Sequence, residues 1–153
     1  MSEHKATIRW TAQGDFLKGR YSREHTWSFD GGVSVPASSS PSVVPKPYSN
    51  AAAIDPEEAF VASLSSCHML TYVWLAYREG IEVLSYEDEA VGHMTKNEAG
   101  VPWVSKVELH PKIRYGEAGK QPSRADEDRL HEAAHHDCFI SQSVKSEITV
   151  VHE

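Results

Sequence analysis

Two cysteines and nine histidines are the residues of this 153-residue chain whose types suit redox or metal chemistry. Cys67 lies in Ser65-Ser66-Cys67-His68, and Cys138 lies 71 residues later in His135-His136-Asp137-Cys138-Phe139-Ile140. A cysteine attacks as its thiolate, and the thiolate is favoured at neutral pH beside a cation or a positive dipole. Two such thiols brought together can cycle between dithiol and disulfide. The rival fate of a free cysteine is burial as a small hydrophobe. Metal ligation is a third use: His131 and His135 are four apart, hence on one face of a helix, with His136 and Cys138 near them and His68 beside Cys67. No CxxC or HExxH spacing supports a metal, and nine histidines give chance pairs.

Helices have to position both cysteines. Asp55 suits an N-cap, Pro56 the first helical position, and Glu58 the reciprocal carboxylate three residues later. These signals predict a helix from 56 to about 79, stopped by Gly80. Residues 59–77 carry no formal charge and could span a bilayer on length alone. Ser63, Ser65, Ser66, His68 and Thr71 interrupt them, and the mean hydropathy of the chain is −0.46, so a central, buried helix is expected. A second helix is expected from the Ser123 N-cap, with Asp126 three residues on, to about Asp137, which leaves Cys138 just beyond its end.

Strands surround these helices. Ala6, Ile8, Trp10 and Ala12 alternate with polar residues and predict a half-buried strand. An irregular hairpin follows over 13–24, then strands over about 25–29 and 33–35 about the Asp30-Gly31-Gly32 turn. Residues 36–54 are proline- and serine-rich and form a long loop, of the kind that serves as a lid or binding loop. One strand is expected over 81–95 and another over 106–115, with Pro111 at an edge or bulge, and a last strand over 145–152. The order β-β-(β)-α-β-β-α-β is that of an α+β fold, and residues 1–153 suffice for a single domain with its own core.

Composition narrows the function. Lys plus Arg number 15 and Asp plus Glu 22, a formal net charge of −7. That balance argues against a phosphate-binding footprint for nucleic acid and against a polybasic membrane anchor. Met1–Lys5 shows no secretory signal, so a cytoplasmic location is expected. There, two cysteines suit catalysis or burial better than a permanent staple.

Two motifs then resemble one family. Asp55-Pro56-Glu57-Glu58-Ala59-Phe60, with Ala62, Ser66 and Cys67, is similar to the "(N/D)PEE(L/A)…A…(S/A)C" signature of the OsmC/Ohr family. Cys138-Phe139-Ile140-Ser141-Gln142-Ser143-Val144-Lys145-Ser146-Glu147-Ile148 resembles the family's "C-P-(V/I)-S-Q-x-(L/V)-K-x-(E)-I" segment. The order of elements fits too, and the least similar stretch is 19–54, whose proline-rich loop marks a branch apart from the best-known members.

The resemblance implies a thiol-dependent peroxidase that reduces organic hydroperoxides to alcohols, with no bound cofactor or metal. Cys67 would be the peroxidatic thiolate and Cys138 its resolving partner. An external dithiol would restore the pair; in the Ohr branch it is protein-bound dihydrolipoamide. The family's activating cation is an Arg of the N-terminal sheet held by the Glu of the PEE motif, here Glu57 with Arg23 or Arg20; Arg23 is favoured because it leads into the 25–29 strand. Ten residues of helix separate Glu57 from Cys67 by about 15 Å. A continuous helix therefore forbids Glu57 from holding an Arg against Cys67 of its own chain, and a homodimer, intertwined as in the family, would supply both across the interface. The alternative is a metal-binding or hydrophobic-ligand-binding protein of the same fold without peroxidase turnover.

Overall fold

The computed structural model describes residues 1–152. The cysteine-bearing helix, α1, spans Pro56–Arg78. Its start is a reciprocal cap: the Glu58 amide donates to Asp55 Oδ1 at 2.7 Å, and the Asp55 amide donates to Glu58 Oε1 at 3.2 Å. Its end is the left-handed Gly80, at φ 74°, a conformation that costs glycine little and other residues more. Leu64, His68, Tyr72 and Ala76, spaced by four, are its buried residues. Leu70, Trp74 and Tyr77 stay 63%, 55% and 69% exposed. The expected central helix is thus buried along one ridge only, although apolar residues continue around it.

The second helix, α2, spans Arg124–Asp137. Ser123 and Asp126 form its capping box, and Cys138 is its extended C-cap residue. Leu130, His131 and Ala134 are its buried residues.

The chain forms two compact units, Met1–Ala59 and Phe60–Glu153. In the first, β1 (Ala6–Arg9), β4 (His25–Phe29) and β5 (Ser34–Ala37) form an antiparallel sheet in the order β1-β4-β5. Between them β2 (Gly14–Asp15) and β3 (Arg20–Tyr21) make a small hairpin. The first strand was expected to bury one face. Instead all four β1 residues are exposed, Ile8 included. The 36–54 loop is tied down: the Ser38 amide donates to Ile54 O at 3.0 Å, the Asn50 amide to Ser38 Oγ at 2.9 Å, and the Ser49 hydroxyl to Val44 O at 2.6 Å.

In the second unit, β6 (Val83–Asp88), β7 (Val91–Lys96), β8 (Pro102–Leu109) and β9 (Pro111–Tyr115) precede α2, and β10 (Glu147–Val150) follows it. The sheet orders are β10-β8-β7 and β6-β9, with β10 parallel to β8 and the other pairs antiparallel. Two strands were expected here where four occur. The breaks fall after Asp88 and at His110, and one carboxylate joins them: Asp88 accepts from the His110 amide at 2.6 Å and from the Ser65 hydroxyl of α1 at 2.5 Å. Pro111 has no amide to extend the ladder, so each long segment bends there into a different sheet. Side-chain alternation survives the bend. Val107 and Leu109 are fully buried, and Ile113 and Tyr115 are half-buried.

Two apolar clusters hold this unit. One joins Tyr72 and Ala76 to Ile81, Leu130 and Ala134; the other joins Leu64 to Val107 and Leu109. Each fully buried leucine contributes about 1.5–3 kcal/mol. Gly92 on β7 lets the helix approach, since a Cβ there would lie 2.6 Å from Val61 Cγ2.

Candidate active site

Cys67 is half-buried on α1 and Cys138 is fully buried at the C-cap of α2. The two free thiols meet across 71 residues of sequence, close enough for each to shift the proton affinity of the other. The chain after Cys138 folds back on itself. The Gln142 amide donates to Cys138 O at 3.1 Å, and Ser141–Ser143 form a 3₁₀ turn. That turn aims the Ser141 amide at Cys138 Sγ, at 3.4 Å.

The electrostatics of the pair are unequal. Burial pushes the Cys67 thiol up, and so does its hydrogen bond with Cys138; the amides of Ile140 and Phe139 oppose them without prevailing. At Cys138 burial also raises the pKa, but the hydrogen bonds with Cys67, with Ser141 and with the Ile140 amide outweigh it and leave the thiol below its ordinary value. The two thiols titrate as a pair, in which one sulfur can keep the proton while the other carries the negative charge. The arrangement is suited to dithiol–disulfide chemistry, in which one sulfur is reached from solvent and the other is held behind it.

The other expected residues lie in the first unit. Arg23 is held by its own hairpin: its Nη1 donates to Tyr21 O at 2.6 Å, and its guanidinium carbon sits 3.6 Å from the Tyr21 ring centroid. Arg20 is exposed on β3. Glu57 is half-buried at the start of α1; burial and the neighbouring Asp55 carboxylate raise its pKa, and its Oε2 is buried without a hydrogen-bond partner. No ion pair joins Arg23 or Arg20 to Glu57 among the described residues.

Histidines form a second centre that spacing had not revealed. His68 Nε2 and His131 Nδ1 are 3.0 Å apart, so one ring donates and the other accepts. The rings are 9° from parallel with centroids 5.3 Å apart. His131 also packs on Tyr72 at 4.3 Å and on His152 at 5.5 Å. Beyond Tyr72 the Tyr115 hydroxyl lies 2.7 Å from the Tyr72 hydroxyl and donates to Glu127 Oε2 at 2.9 Å. The spacing of His68 with Leu64, Tyr72 and Ala76 was the sequence signal for its inward position. His131 and His135 do not act as one face: His131 is buried, whereas His135 and His136 are exposed. Among the described residues, no group of three His, Cys, Asp or Glu side chains converges as metal ligands do.

An OsmC-like protein family model matches residues 49–153, a span that contains both cysteines. The chain belongs to the OsmC family. An OsmC-like protein of unknown function from Vibrio cholerae is 44% identical over the whole of both chains, with a TM-score of 0.96. An organic hydroperoxide resistance protein from Elizabethkingia anophelis has a TM-score of 0.69 at 20% identity, covering 100% of this chain and 98% of that one. The organic hydroperoxide resistance protein OhrB of Bacillus subtilis has a TM-score of 0.61 at 23% identity, covering 97% and 96%. These two likenesses concern the OsmC fold. Among curated proteins no match is found.

A shallow apolar groove of about 310 Å³ on this OsmC chain is lined by Phe60, Trp103, Val104, Val144, Lys145 and Ser146, with neither cysteine in its wall. Of the bulky apolar residues near Cys67 along α1, Leu64 is committed to the core, whereas Leu70 is exposed.

Proposed function

We propose that this OsmC protein is a thiol peroxidase that reduces organic hydroperoxides. The observation that carries the proposal is the meeting of the Cys67 and Cys138 thiols. The Cys67 thiolate attacks the terminal peroxide oxygen; the O–O bond breaks, the alkoxide takes a proton and leaves as the alcohol, and Cys67 becomes a sulfenic acid. Cys138 then attacks the sulfenic sulfur, forming the disulfide and releasing water. An external dithiol, such as dihydrolipoamide, exchanges with that disulfide and is oxidised as the two thiols are restored. Accessibility supports giving the first step to Cys67, because Cys138 is fully buried.

Turnover with cumene hydroperoxide, a fatty-acid hydroperoxide and hydrogen peroxide, with dihydrolipoamide and other dithiols supplied in turn, tests this function. The organic peroxides are expected to react faster than hydrogen peroxide. A protein that binds apolar ligands but turns over none of the three would instead be a carrier of the same fold.

The activating cation is expected to be Arg23, with Arg20 as the alternative, and Glu57 is expected to hold it. Glu57 Oε2, buried and unpartnered, is the kind of acceptor such a guanidinium would satisfy. Arg23→Ala is expected to raise the Cys67 pKa by about one pH unit or more and so to slow iodoacetamide alkylation about tenfold at neutral pH. Arg20→Ala is expected to do less. The opposite ranking in alkylation rate against pH would assign the role to Arg20.

A second copy of the chain is the expected source of these groups. The exposed Leu70, Trp74 and Tyr77 of α1 and the uncovered Ile8 of β1 favour it, since apolar surface of this kind is stabilised by a partner. Sedimentation equilibrium is expected to give twice the 17.0 kDa chain mass at micromolar concentration. A fully active monomer would remove the dimer from the mechanism.

A further inference from the structure

His68 directly follows Cys67 on α1, and His131 stands seven residues, about two helical turns, before Cys138 on α2. The 3.0 Å bond between them thus links the two helices that lead to the thiols. The rings are 0% and 4% exposed, and His68 Nδ1 is buried with no partner. A pair of apolar side chains would fill the same space without leaving an unpartnered polar atom. What two imidazoles add is direction: a hydrogen bond is satisfied at one distance and angle, whereas apolar packing tolerates sliding.

We propose that His68 and His131 are positioning residues, whose hydrogen bond sets the register of α1 against α2 at which Cys67 and Cys138 meet. The inference rests on the thiol-pair chemistry proposed above. Burial holds both rings neutral at pH 7, with the His68 pKa lowered to about 4 and that of His131 to about 3. The titratable groups facing His68 besides its partner are His135 and Asp88, and those facing His131 are Tyr72, His152 and Asp128. His152 is itself held by Asp128 at 3.1 Å. Among the described residues no carboxylate is hydrogen-bonded to either ring, and the bond they share is between neutral rings.

The test uses the whole chain and a double variant, His68→Leu with His131→Leu, which removes both rings together and leaves no orphaned polar group. Three quantities are measured at pH 7.5: the melting temperature, the equilibrium of the cysteines with oxidised and reduced dithiothreitol, and the affinity of the reduced protein for phenylarsine oxide. The arsenical condenses with two neighbouring thiols and releases water, so it reads their spacing without oxidation. The melting temperature is expected to stay within a few degrees, while the disulfide equilibrium constant and the arsenical affinity each fall about tenfold or more. His68→Gln with His131→Asn, which returns polar atoms to the Nε2 and Nδ1 positions, is expected to recover both to within about threefold. A folded Leu double variant with both values unchanged overturns the proposal, as does a parent protein that binds no arsenical. If the Leu pair does not fold, His131→Asn and His131→Leu singly decide the matter: a loss of arsenical affinity in the Leu variant alone supports positioning, and equal affinities overturn it. A parent that binds the arsenical but forms no disulfide sinks the peroxidase function, while the variants still measure the positioning.

Discussion

Cys67→Ser is expected to reduce the reaction with organic hydroperoxide to its uncatalysed rate, and Cys138→Ser to permit a single oxidation and no turnover. The two effects differ because the sulfurs differ in access: Cys67 is half-buried and Cys138 is fully buried behind it. Without Cys138 the Cys67 sulfenic acid has no thiol to condense with, and further peroxide carries it to sulfinic and sulfonic acids. Intact mass after one equivalent of peroxide separates the cases. The parent should lose two hydrogens, the Cys138 variant should gain one oxygen, and the Cys67 variant should be unchanged. The lowered Cys138 thiol adds a finer expectation. Its stabilising contacts come from Cys67, Ser141 and the Ile140 amide, so in the parent the pair should release its first proton more readily than either single-cysteine variant. Oxidation of Cys138 in the Cys67 variant at the parental rate would reverse the assignment of the two roles.

Acid should destabilise the protein strongly through the buried histidines. In the folded chain burial, first, and neighbouring histidines, second, lower His68 to about 4 and His131 to about 3, against an ordinary value of 6.5. Between those values the unfolded chain binds more protons than the folded one, so stability falls as pH falls. The contribution is fully present above pH 6.5 and is lost progressively down to pH 3–4. Each pH unit of separation corresponds to about 1.4 kcal/mol, so the two separations together set an upper bound of about 8 kcal/mol over that range. Urea unfolding at pH 7, 5.5 and 4.5 measures it. His68→Leu with His131→Leu should flatten the dependence markedly; an unchanged slope would mean that other groups govern acid stability.

Local signals were legible along the chain because their causes lie within a few residues. Asp55 and Glu58, and Ser123 and Asp126, cap their helices reciprocally, and Gly80 ends α1 in the left-handed conformation its sequence suggested. The two cysteine motifs placed the chain beside the OsmC family before any coordinates, since each carries its pattern in a short run. Pro111 signalled an edge or bulge, but not that the Asp88 carboxylate would reach the His110 amide from 22 residues away and turn two long strands into four. The alternation of Ala6, Ile8 and Trp10 predicted a buried face; periodicity reports which residues share a side, not whether anything covers it.

By itself the sequence determined the helices, most of the strands, the family likeness and the two thiols as the chemical candidates. Only the tertiary structure decided that those thiols meet, that Arg23 stacks on Tyr21 without pairing with Glu57, and that His131 turns to His68 rather than joining His135. The physical reason is range. Caps, turns and periodicity are fixed by neighbours along the chain, whereas the partner and the proton affinity of a buried cysteine or histidine depend on the segments that packing brings against it.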